Sequence, residues 1–130
     1  MKREIRFRAW DKITKTMRTN ILSIDVGEYG RNIYFSTGSY LLQIDAELMQ
    51  YTGIKDKNGV EIYKNDYLEI PEVSDNSKTW CVFWGSGKYI LQNISTGDIL
   101  DCNETNTRNK TIIGNTFESP REHKAMASDL

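Results

Sequence analysis

The stretch Leu48–Ile70, LMQYTGIKDKNGVEIYKNDYLEI, decides how the rest of the chain is read. Leu48, Gln50, Thr52 and Ile54 alternate with Met49, Tyr51 and Gly53, the two-residue period of a strand. Asp56-Lys57-Asn58-Gly59 follows, and Asn58-Gly59 is the pair that suits the two left-handed positions of a type I′ hairpin turn. Val60 to Tyr63 then reads as the returning arm. Lys64-Asn65-Asp66 is a second turn, because Asn65 tolerates positive φ better than any residue but Gly. Tyr67 to Ile70 resumes a strand, which Pro71 ends by removing a donor. A hairpin, a corner and a strand in so short a run predict a small, strongly bent sheet.

Three segments carry a resemblance. LMQYTGIKDKNGVEIYKND resembles the signature of the YopX family of bacteriophage and prophage proteins. The opening REIRFRAWDKITKTM and the tail IIGNTFESP are similar to the two ends of those proteins. One departure is Asn65, where the family pattern has Gly in a Tyr-x-Gly-Asp corner. The family has no assigned activity, so the resemblance transfers no catalytic residue. It implies an accessory protein of a phage or prophage, with variable segments at about residues 19–47 and 71–110.

Working outward, the N-terminal flank is basic. Residues 1–18 carry seven Lys/Arg against two Asp/Glu, a net of +5, which leaves −6 for the rest of a chain whose net charge is −1. Glu4 to Trp10 reads as a strand, with Ile5, Phe7 and Ala9 on one face and Arg6, Arg8 and Trp10 on the other. Thr16 to Arg18 returns beside it after a turn at Asp11-Lys12. Arg6, Arg8 and Trp10 form the candidate nucleic-acid or interface surface, since Arg binds phosphate and Trp stacks on bases. The plainer reading is a solvated face whose Arg stems cover apolar surface. Ile21 to Val26 and Ile33 to Phe35 are further strand candidates, and Tyr40 to Ile44 fits a strand or a short helix.

On the other side, Thr79 to Trp84 is apolar on both faces and predicts a central strand. Tyr89 to Ile94 and Ile99-Leu100 complete an antiparallel meander with it. Cys102 to Lys110 reads as loop, and Thr111 to Ile113 as the last strand, extending towards Phe117. Ser119, Pro120 and Glu122 have the spacing of a capping box for a short C-terminal helix reaching about Met126.

The 130 residues are expected to form a single domain, 1–130, with 38% hydrophobic and 27% charged residues. No apolar run approaches the roughly 18 residues of a membrane span, so no membrane role and a cytoplasmic location in the bacterial host are expected. Cys81 and Cys102 are expected as free thiols, with Cys81 a buried small hydrophobe. No Cys or His cluster, phosphate-binding glycine loop or nucleophile-base pair is present, so no catalytic, cofactor or metal residue is assigned. His123, alone, reads as an exposed helix residue, and Ser86 as a turn serine. Asp56, Glu61, Asp66, Asp98 and Asp101 lie near turns, where carboxylates hold backbone amides more often than they do chemistry.

The chain is thus expected to be mainly β: a small, strongly bent, SH3-like barrel-type antiparallel sheet with a short C-terminal helix. Tyr51, Tyr63, Tyr67, Trp80 and Trp84 are candidate interface aromatics; Asn58, Gly59, Asn65 and Asp66 are structural turn residues. The leading functional expectation is a non-catalytic protein-interaction or self-assembling module, a homo-oligomer or a partner of another phage or host protein. The alternative is nucleic-acid binding through Arg6, Arg8 and Trp10.

Overall fold

The computed structural model describes residues 6–28, 30–121 and 123. They are mainly β, one sheet curls into a half-barrel, and there is a single short α-helix. The chain divides into two compact units, one up to Gln50 and one from Tyr51 onward.

In the first unit, β1 (Phe7–Asp11) pairs antiparallel with β2 (Thr16–Arg18), Ala9 opposite Arg18. Asp11 makes the turn: its Oδ1 accepts the N–H of Ile13 at 2.9 Å and of Thr14 at 3.1 Å. Next come β3 (Ile21–Gly27), β4 (Gly30–Phe35) and β5 (Tyr40–Leu42), an antiparallel sheet in that order. The run Tyr40 to Ile44, ambiguous in sequence, is both: three strand residues and then a 3-10 turn, Gln43–Asp45. Register places Ile24, Ile33 and Leu41 side by side. Ile33 and Leu41 form the core with Ala9, Phe35 and Ala46, and Ile21, Ile24 and Leu48 pack against it. Strand β6 (Ala46–Lys55) pairs with β1 through its first half, Ala9 opposite Leu48.

In the second unit, β6 continues and pairs with β7 (Glu61–Tyr63). Five strands follow: β8 (Asp66–Glu69), β9 (Thr79–Gly85), β10 (Lys88–Asn93), β11 (Ile99–Asp101) and β12 (Thr111–Asn115), ordered β11-β10-β9-β8-β12. The two-sided apolar strand takes the central place expected of it, with Thr79, Trp80, Cys81 and Val82 all buried. Trp80 and Val82 pack with Ile62, Leu68 and Leu91. Cys81, on the opposite face, packs with Tyr67 and Ile94.

Four local expectations are corrected. Only Gly59 of the central turn has positive φ, +79°; Asn58 does not. Gly59 N–H donates to Asp56 O at 3.0 Å and Asp56 N–H to Val60 O at 2.9 Å. This is a three-residue loop, a type I turn closed by a left-handed glycine, rather than a type I′ turn. Asp56 selects it: Oδ1 accepts the N–H of Asn58 at 2.8 Å and of Val60 at 2.9 Å. The short helix is α1 (Glu104–Thr107), inside the run expected to be loop. Asn103 caps it by accepting the N–H of Asn106 at 2.9 Å. At the expected C-terminal helix, Ser119, Pro120, Arg121 and His123 are not helical, and 122 and 124–126 lie outside the described residues. The final strand stops short of Phe117 because Asn115 Oδ1 turns the chain, accepting the N–H of Phe117 at 3.0 Å and of Glu118 at 2.8 Å. The corner at Asn65 is as expected, with φ +74°. Both of its backbone polar groups are anchored, N–H to Val82 O and C=O from Thr116 N–H, each at 2.9 Å.

Candidate functional site

Strand β6 carries a bulge. Tyr51 pairs with Tyr63 and Lys55 with Glu61, with the register broken between them, and Gly53 sits at φ +87°. A glycine in a strand run is the sequence signal for such a bulge, and the reading of Leu48 to Ile54 as a plain alternating strand missed it. The bulge re-aims the strand, as bulges do, and a cleft lies on each side of it. One, about 450 Å³, is lined by Ile54, Trp84, Tyr89 and Cys102 and rimmed by Lys88 and Asp101. The other, about 610 Å³, is lined by Tyr51, Lys55, Lys57, Glu104 and Arg108.

The apolar wall of the first cleft is built at a hairpin. Ser86 and Gly87 both hold positive φ, 54° and 79°, and turn β9 into β10. That turn sets Trp84 opposite Tyr89, ring centroids 4.7 Å apart at 77°, an edge-to-face pair. Trp84 stays 54% exposed. Lys88 Nζ and Asp101 Oδ1, 2.8 Å apart on the exposed rim, neutralise each other.

Of the five candidate interface aromatics, Trp84 alone is exposed. Tyr51, Tyr67 and Trp80 are buried, so their area serves the core, and Tyr63 is half-buried against Tyr51, centroids 5.7 Å apart. Their reading as surface residues is corrected on that ground.

The turn carboxylates do structural work. Asp56 Oδ2 also accepts the N–H of Ile112 at 2.9 Å, and Asp66 Oδ2 that of Tyr63 at 2.8 Å. Asp98 and Asp101 are exposed and Glu61 is half-buried on β7. Burial pushes the Cys81 thiol up to about 12, aided by the Asp66 carboxylate, and the Cys102 thiol to about 11. Neither is a nucleophile at neutral pH. Among the described residues no three metal-ligating side chains gather. No helix among them is long and apolar enough to cross a membrane.

His123 is not the exposed residue expected. Its Nε2 lies 2.5 Å from the Tyr67 hydroxyl, which also accepts the Arg121 N–H at 3.2 Å. Burial lowers the pKa of His123 and raises that of Tyr67, which favours the neutral pair. A lone histidine gives no sequence signal for this contact.

Arg6, just before β1, is exposed, and Arg8 and Trp10 on β1 are half-buried. The basic character around them is reduced by pairing. Glu47 stands directly opposite Trp10 and holds Lys12 at 3.2 Å. Arg18 lies 3.7 Å from Asp11 and 3.7 Å over the Phe35 ring, so it belongs to the core wall.

A surface missed in sequence is the sheet β3-β4-β5. Leu22 is 71% exposed and Val26 83%, with Tyr40 on β5 and Ile44 in the turn that follows it also exposed. Alternation alone could not reveal this, because Leu22, Ile24 and Val26 look like any core-facing strand.

The fold has solved relatives. EF1440 from Enterococcus faecalis is similar with a TM-score of 0.66 and 25% identity, over 92% of this chain and 97% of that one. The yopX protein of Bacillus subtilis is similar in fold with a TM-score of 0.57 and 16% identity, over 91% and 97%. A search of curated proteins finds no match. The sequence pattern of the family described as "YopX protein" matches residues 6–122, so the chain belongs to the YopX family.

Proposed function

We propose that the protein is a non-catalytic interaction module that associates with itself. The observation that carries this reading is the exposure of two large apolar side chains, Leu22 and Val26, on the edge strand β3 of the first unit. Large apolar side chains on an open strand edge invite pairing with another strand, which would cover them. Trp84 beside its cleft is a second contact point of the same kind. The Asp56 and Asp66 carboxylates are occupied with backbone amides, which supports a structural use of them. A phage or prophage setting inside a bacterial cell rests on the family resemblance alone.

Apolar contact and nucleic-acid binding respond differently to salt, because phosphate contacts release counterions and weaken steeply as salt rises. Light scattering and fluorescence anisotropy with labelled single- and double-stranded DNA, each across a salt series, separate the two. The expected result is an oligomer that persists at moderate salt, with weak, non-specific DNA binding. A monomer that binds DNA tightly at physiological salt, and loses binding with Arg6→Ala and Arg8→Ala, would overturn the reading in favour of nucleic acid.

A further inference from the structure

We propose that the outer edge of β3 is a dimerisation strand, pairing antiparallel with β3 of a second copy. The inference rests on the self-association reading and names its surface. Among the described residues no further strand pairs with β3 on its outer side. The strand is seven residues, ILSIDVG, with no Lys, Arg or Pro, the residues that commonly blunt an open edge. The other edge of this sheet, β5, is only three residues and runs into the 3-10 turn.

Backbone direction can be deduced. Gly27 pairs directly with Gly30 across a two-residue connection. Pairs in an antiparallel ladder alternate between bonded and non-bonded. The closing Gly27–Gly30 pair is bonded, so Val26–Arg31 is not. The Arg31 N–H agrees, since it donates to Gln43 Oε1 at 3.1 Å instead of towards β3. Val26 and Ile24 therefore turn their N–H and C=O groups outward, while Asp25 and Ser23 bond to β4.

The sequence is self-complementary in one register. Centred on Ile24, two antiparallel copies set Leu22 against Val26 and Ser23 against Asp25, with Ile24 against its own copy. The Ser23 hydroxyl can then donate to the Asp25 carboxylate, whose Oδ1 already accepts from Asn32 Nδ2 at 3.2 Å. A register centred on Asp25 would put two carboxylates face to face. The bulge between Ile21 and Ser23 bends the strand and ends the pairing near Leu22. Both copies use the same edge, so the contact closes as a two-fold dimer and does not propagate.

Val26→Pro removes a donor that β4 does not use, and proline is tolerated at such edge positions. Wild type, Val26→Pro and Val26→Lys would be compared by light scattering across a concentration series, with circular dichroism as the folding check. The expected result is twice the chain mass for wild type and the single chain mass for both variants, with unchanged spectra. If Val26→Pro alone misfolds, Val26→Lys decides. A wild-type dimer that both folded variants retain overturns the β3 edge and leaves self-association standing. A wild type that stays monomeric at every concentration overturns both.

Discussion

The two sheets treat their apolar strands differently. In β11-β10-β9-β8-β12 the middle strand is buried on both faces, and four consecutive residues, Thr79 to Val82, see no solvent to speak of. In β3-β4-β5 one face, Ile24, Ile33 and Leu41, serves the core, while Tyr40 and Leu42 look outward with Leu22 and Val26 exposed on the edge strand. The same residue types thus hold one region together and lie open on the other. The difference separates side chains that stabilise the fold from side chains available for contact, which hydrophobicity alone does not.

The largest effect should come from breaking the buried sheet. Leu91 is fully buried opposite Val82, and Leu91→Ala should cost about 2–5 kcal/mol through lost burial and a residual cavity. Leu22→Ala, at 71% exposure, should stay within about 0.5 kcal/mol in the monomer. Urea titrations of the two variants measure the difference, and equal midpoints would erase the contrast.

Next is the loop that joins β6 to β7. Asp56→Ala strands the N–H groups of Asn58, Val60 and Ile112, and should cost about 2–3 kcal/mol by the same titration. A smaller step separates the two residues after it. Gly59→Val forces a β-branched residue to φ +79° and should cost roughly 1–3 kcal/mol. Asn58→Ala, at negative φ, should cost at most about 0.5 kcal/mol. Comparable losses at both positions would restore the type I′ turn.

The subtlest effect is on pH. Burial pushes the Asp11 carboxyl up, but the amides of Thr14 and Ile13, the Thr14 hydroxyl and the Arg18 guanidinium outweigh it and hold its pKa below the usual carboxylate value. A depressed folded pKa adds stability that is present above the unfolded pKa, about 4, and is lost as pH falls through the folded value. Asp11→Asn should therefore flatten the acid limb of a melting-temperature profile below about pH 4. An acid limb of unchanged steepness would show that Asp11 makes no linked contribution.

Much of the fold was legible because the signals were local. The period-two runs located β1 and much of β6, and the two-sided run Thr79 to Trp84 identified the central strand β9. Asn65 announced its corner, while Gly53, read as part of a plain strand, hid a bulge. The misreadings share a cause, which is tertiary selection among local options. Asn58-Gly59 suits two turn types, and the buried Asp56 carboxylate chooses. The run Cys102 to Lys110 has loop composition, yet Thr107 is fully buried, its hydroxyl 3.0 Å from Asn103 O and 3.3 Å from Lys55 O, which fixes a helical turn there. The aromatic residues named from sequence as contacts were mostly core, because side-chain type does not report burial. The exposed edge of β3 depends on which strands pair, and strand order is not written in the period.

Self-association through β3 requires its outer edge to be bonded to a second copy. Residue-resolved hydrogen exchange at low and high protein concentration reads this directly. The Ile24 and Val26 amides point outward, and the Asp25 amide is bonded to β4. Protection at Ile24 and Val26 should rise with concentration while Asp25 stays unchanged. Ile24 and Val26 amides that exchange equally fast at every concentration would contradict it.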